Sequence, residues 1–140
     1  MIGSEALPFA KTGGLADVLG ALPPALARLG WDVTVALPSY RGVDAGTILE
    51  RFPVTVGGFT RDVAIHEAPL ADGARAWLVD CPDLFDREAP HGTDGTDYPD
   101  NALRFAMLVR ADAGVCRAPE RRRRRSCTRT TGRRDSRRSI

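Results

Sequence analysis

Residues 9–39, FAKTGGLADVLGALPPALARLGWDVTVALPS, pass from a glycine pair to an apolar periodic run and then to a short alternating stretch. The apolar positions Leu15, Val18, Leu19, Leu22, Leu26 and Leu29 step by three or four with one adjacent pair, the spacing of one face of an amphipathic helix. Gly30 stands where a helix C-cap belongs. Pro23 and Pro24 fall inside the run, so a kinked helix or two short pieces is expected. Residues 32–37 then alternate and are β-rich, which predicts a strand. The order glycine loop, helix, strand is the beginning of an α/β layered domain.

Working outward, further strands are expected at residues 54–56, 61–66 and 76–79. YPDNALRFAMLVRA, residues 98–111, predicts a second helix with Asp100 or Asn101 as N-cap and Ala102, Leu103, Ala106 and Val109 as its apolar stripe. Trp31 and Trp77 are expected in the core, and His66 reads as an ordinary residue on a strand. The acidic loop positions Asp83, Asp86, Asp94, Asp97 and Asp100 read as a solvated surface.

Length and composition set the outer limits. One hundred and forty residues with 43% hydrophobic content suit one globular domain. No apolar run reaches the length of a membrane span, and MIGSEALPF lacks a basic leader, so a cytoplasmic location with no membrane partner is expected. Cys81, Cys116 and Cys127 are far apart and read as structural or incidental rather than as a metal or disulfide set. The net charge of +2 conceals a split. Residues 1–116 hold nine basic against sixteen acidic side chains, whereas residues 117–140 hold eleven arginines against Glu120 and Asp135.

Lys11, two residues ahead of Gly13, is the first candidate functional group. A glycine pair lets a ligand approach the backbone, the following helix offers free N–H groups, and a lysine adds a mobile charge, a combination that suits a phosphate or pyrophosphate. The local pattern is neither GxxxxGK[ST] nor GxGxxG, and by itself a turn before a helix explains it as well. Asp17 either complements the helix dipole or accepts from sugar hydroxyls.

The segment from Ser4 to Ala111, through SEALPFAKTGGLADVLGALPPALARLGWDVTVALPSYRGVD, LFDRE and YPDNALRFAMLVRA, resembles the N-terminal part of the bacterial glycogen and plant starch synthases, which use ADP-glucose. The resemblance implies a partial Rossmann-like N-terminal lobe of a GT-B glycosyltransferase, with the active site in a cleft between two lobes. It implies glucose transfer from ADP-glucose to the non-reducing end of an α-1,4-glucan with retention of configuration, without a metal or other cofactor. It also implies donor-site roles for Lys11, Gly13, Gly14 and Asp17, with the Lys11 charge stabilising the diphosphate as ADP leaves. Tyr98, Asn101 and Arg104 match the family and are read as structural. His91 stands where these enzymes commonly carry a tyrosine.

Two departures shape the expectations. Only Met1, Ile2 and Gly3 precede Ser4, so the first strand of the family is largely missing, and no second lobe follows Ala111. An inactive fragment, with no intact catalytic set, is therefore expected. Residues 112–140 are expected to be a disordered Arg-rich tail, with nucleic-acid binding through it as the alternative function. They also read as an out-of-frame product. With GC-rich codons, residues 112–119 and 126–138 can be encoded so that shifted frames give TLEFAAR and VHAHDWQAGLAP, plausible family continuations.

Overall fold

The computed structural model describes residues 1–117. Helix α1 (Gly14–Arg28) leads into strand β1 (Thr34–Pro38). A long hairpin follows, β2 (Thr47–Val56) and β3 (Phe59–Pro69), and then β4 (Arg75–Asp80). A short helix α2 (Pro82–Phe85), a two-residue hairpin of β5 (Gly92–Thr93) and β6 (Thr96–Asp97), and helix α3 (Asn101–Arg117) complete the described residues. The main sheet runs β1-β4-β3-β2, with β1 and β4 parallel and the other pairs antiparallel. Residues 1–3 add a stub beyond β1: Ala36 N–H donates to Met1 O at 2.8 Å, and Gly3 N–H to Ala36 O at 3.0 Å.

The alternation of the strands divides the interior in two, because successive side chains face opposite sides of a sheet. Ala76 and Leu78 of β4 join Val35, Leu37, Ala68, Ala6 and Leu19 on the α1 side. Val79 and Cys81 join Val63, Ile65, Phe85, Met107, Leu108, Ala111 and Val115 on the α3 side. The result is the expected α/β layering, with a mixed sheet between two helices.

Some alternatives are decided and several expectations corrected. α1 is one helix rather than two short pieces, with Pro23 and Pro24 both buried in it. It ends in a Schellman arrangement: Gly30 (φ 91°) donates to Ala27 O at 2.9 Å and Trp31 N–H to Leu26 O at 3.2 Å. Its inner face is Ala16, Leu19, Pro23 and Pro24, while Leu15, Val18, Leu22 and Leu29 of the expected stripe are exposed. At Gly20 the helix comes close to Leu7, where an added Cβ would lie 2.9 Å from Leu7 Cβ, and the Leu19 side chain fills the space beside Gly3, where an added Cβ would lie 2.1 Å from Leu19 Cδ1.

Trp31, just past the helix end, is 68% exposed rather than in the core. Trp77 is half-buried and donates its Nε1–H to Glu67 at 3.2 Å. On α3 the buried positions are Arg104, Met107, Leu108, Ala111 and Val115, whereas Ala102 and Val109 of the expected stripe are exposed. Asp100 takes the N-cap position, its carbonyl accepting from Arg104 N–H at 3.0 Å. The helix runs through Ala111 to Arg117, carried on by Ala111 and Val115 packing one turn apart. Residues 118–140, with Cys127 and most of the arginines on which the tail, nucleic-acid and reading-frame expectations rest, lie outside the described residues.

Candidate functional site

The loop of residues 11–14 joins the N-terminal segment to α1. Leu7 N–H donates to Ala16 O at 3.1 Å, and Ala10 N–H to Ala6 O at 3.0 Å, so both ends of the loop are tied down. Lys11 Nζ lies 2.7 and 2.9 Å from the two carboxylate oxygens of Asp17, and both side chains are about half exposed. The two charged candidates are thus brought together. An exposed pair of this kind stabilises the fold little, so the lysine is cheap to redirect.

Gly13 is the N-cap of α1, in extended conformation and with no side chain capping the helix. A Cβ on Gly14 would meet nothing within 4 Å. Neither the backbone conformation nor packing among the described residues requires glycine at 14, and its bare face opens to solvent beside free helix N–H groups. That is the geometry of a surface an anion can approach closely.

Behind the loop lies a residue that sequence reasoning missed. Glu5 is 3% exposed and accepts hydrogen bonds from Thr12 N–H and from Thr12 Oγ1, the latter at 2.6 Å. Burial raises its pKa. The bonds from the Thr12 side chain and backbone outweigh that and hold the carboxyl below its ordinary range. Tyr40 continues the support, its hydroxyl donating to Ser4 O at 2.7 Å, and burial raises the Tyr40 pKa.

Across from Thr12 stands the β5–β6 hairpin, turned by Asp94 (φ 53°) and Gly95 (φ 75°). Thr12, residues 89–92 and residues 95–97 line a recess of about 270 Å³. His91 belongs to this wall, its ring 5.7 Å from that of Phe105. The wall is fastened from behind. His91 O accepts from Tyr98 N–H at 2.9 Å and from Asn101 Nδ2 at 2.8 Å, and Pro90 O accepts from Arg104 Nη1 at 3.0 Å.

Arg104 is fully buried, donating also to Leu84 O and Asn101 Oδ1 at 2.7 and 2.6 Å and lying over the rings of Phe85, Tyr98 and Phe105. Burial lowers its pKa, and Arg87 lowers it further. Tyr98, Asn101 and Arg104 are therefore structural supports, in agreement with their sequence reading.

The other candidates lie elsewhere. Asp83, Asp86 and Asp100 pair with Arg61, Arg41 and Arg87, which disperses the acidic stretch into ion pairs. Cys81 is buried, and burial raises its thiol pKa, which fits a structural residue. His66 is buried on β3, with its Nε2 3.4 Å from Asp80.

The family model described as starch synthase catalytic domain matches residues 1–123. The chain belongs to the starch synthase catalytic domain family. It is 45% identical over 111 residues to a glycogen synthase of Koribacter versatilis, covering 77% of this chain and 23% of that protein. It is 42% identical over 120 residues to glycogen synthase 2 of Geobacter metallireducens, covering 79% and 24%.

Among solved structures, the catalytic domain of starch synthase IV from Arabidopsis thaliana, bound to ADP and acarbose, matches with a TM-score of 0.66 and 25% identity. That match covers 81% of this chain and 24% of the other. The chain thus has the fold of part of a GT-B glycosyltransferase and spans about a quarter of the length of the starch synthase family members it matches. Among the described residues no helix is long and apolar enough to cross a membrane.

Proposed function

We propose that this chain contributes the donor-facing loop of an ADP-glucose-dependent glucosyltransferase, which elongates an α-1,4-glucan at its non-reducing end with retention. Lys11 is the residue that meets the diphosphate. In that role it leaves Asp17 and places a full positive charge where negative charge grows as ADP departs, adding to the positive end of α1. Gly13 and Gly14 let the phosphates come close to the backbone, and Asp17, once released, is free to accept from a sugar hydroxyl. The observation that carries the reading is the bare, solvent-facing Gly14 beside Lys11 at the start of a helix, within a segment that matches the family. The ADP and acarbose named for the starch synthase IV structure support a nucleotide donor and a glucan-like acceptor.

Two measurements test it. In a full-length synthase carrying residues 1–117 of this chain, Lys11→Gln is expected to weaken use of ADP-glucose by about 1–3 kcal/mol, the size of a lost charge-assisted hydrogen bond, and to leave glucan affinity in place. Equal donor kinetics in the two proteins would remove Lys11 from the site. The 140-residue chain alone is expected to transfer no glucose to glycogen, because its described residues supply one wall of a cleft and stabilising a transition state takes donors on both. Measurable elongation by that chain would refute this.

A further inference from the structure

A helix N-terminus normally offers its first free amides to whatever anion arrives. Here the amide just ahead of the N-cap is already taken from the inside. Thr12 N–H and Thr12 Oγ1 both donate to the carboxylate of Glu5. Thr12 N–H belongs to the peptide plane that carries the Lys11 carbonyl. One buried carboxylate therefore holds that plane and the Thr12 side chain together, and with them the direction in which Lys11 leaves the backbone. A second anion in the same cradle would face that carboxylate at close range, so an incoming phosphate must use other groups.

We propose that Glu5 is a positioning residue for the donor loop: it holds residues 11–13 from the buried side and leaves Lys11 and the amides from Gly14 onward as the groups that face the diphosphate. The proposal rests on the donor-site reading of Lys11 given above. The direction is consistent throughout. A Cβ on Gly13 would lie 3.7 Å from Glu5 Oε1, an ordinary contact on the inner side, while one on Gly14 would point into open space. Glu5 touches the loop and acts on the donor through it.

The test separates the clasp from the site it serves. In the 140-residue chain, Glu5→Gln puts an amide NH2 against the loop donors, and hydrogen exchange at Thr12 is expected to accelerate about tenfold or more, with the rest of α1 little changed. Thr12→Val removes one donor at an exposed position and leaves the Glu5 carboxylate in place, and should give a smaller acceleration that Thr12→Ser reverses.

In a full-length synthase carrying residues 1–117, Glu5→Gln is expected to raise the KM for ADP-glucose about tenfold at an unchanged KM for glucan, with Thr12→Val following in the same direction. Unchanged exchange in both variants overturns the clasp, whatever Lys11 does. Accelerated exchange with an unchanged KM for ADP-glucose, or a lowered unfolding midpoint alone, overturns the positioning role. If Lys11→Gln leaves donor kinetics intact while Glu5→Gln frees the loop, the donor reading falls and the clasp stands. Should Glu5→Gln not fold, the Thr12→Val and Thr12→Ser pair decides between the same outcomes.

Discussion

Glu5 and Arg104, buried behind opposite walls of the recess, are stabilised in different ways. Glu5 is surrounded by donors, and Asp100, behind the second wall, is paired with Arg87 at 2.5 and 2.8 Å. Both carboxyls are held below their ordinary values of 4.5 and 3.8, Glu5 by hydrogen bonds that outweigh burial and Asp100 chiefly by the Arg87 bond. A depressed folded-state pKa means that the stabilisation is fully present above the ordinary value and is lost as pH falls through the folded one. Stability is therefore expected to hold down to about pH 4.5 and to fall below it, with the Thr12 amide reporting a titration midpoint under 4.5 in NMR spectra. A midpoint at or above that value would contradict the hydrogen-bonded carboxylate.

Arg104 has no such flexibility, because its cation spans Leu84 O, Pro90 O and Asn101 Oδ1 together. Arg104→Ala should cost about 3–5 kcal/mol in denaturant unfolding, the range for breaking a buried charged network, and Arg104→Lys should recover little because an ammonium cannot span the same fork. A loss under about 1 kcal/mol would show that the carbonyls find other donors. These two residues show where sequence reading stops. Lys11, Gly13, Gly14 and Asp17 could be nominated from the sequence because the family resemblance carries them in one continuous motif. Glu5 acts through burial, which a charged letter in a sequence does not reveal, and Arg104 was read as structural only because the family resemblance placed it on a capped helix.

At the scale of elements, α1 was legible in extent and in its stop signal, but not in orientation. Its leucines mark a stripe at helical spacing, yet of that stripe Leu19 is buried while Leu15, Val18, Leu22 and Leu29 are exposed, and Ala16, Pro23 and Pro24 complete the inner face. Periodicity alone sets that face wrongly by part of a turn. The β2–β3 hairpin was under-read for a related reason. Its outer strand is half exposed and interrupts its apolar residues with Glu50, Arg51 and Pro53, so the strand signal covers only part of a ten-residue strand, and the turn through Gly57 and Gly58 (φ 54° and 83°) carries the rest. The C-terminal stop of α1 is testable by itself. Gly30→Ala forces a Cβ into the left-handed region and should cost about 1–2 kcal/mol in urea unfolding, without a steric clash to confuse the result, since nothing lies within 4 Å. No measurable cost would mean that the helix end can unwind around the new residue.

At the scale of the molecule, the layering followed from the order of helices and strands, whereas the mixed sheet did not, because a β-rich run does not say which neighbour it pairs with or in what direction. Residues 112–140 are a question for the gene. Resequencing through their codons is expected to restore a frame that runs into HAHDWQ, and an intact frame with this tail confirmed by mass spectrometry of the native protein would sink the frameshift account.

The outward stripe of α1 has a practical consequence for anyone handling the polypeptide. Leu15, Val18, Leu22 and Leu29 give it an adhesive flank. Its solutions should brighten an environment-sensitive dye and scatter more light as they are concentrated, and Leu15→Lys with Leu22→Glu should quiet both while moving the unfolding free energy by no more than about 0.5 kcal/mol. A wild-type solution that stays dark and monodisperse when concentrated would mean that the flank is shielded after all.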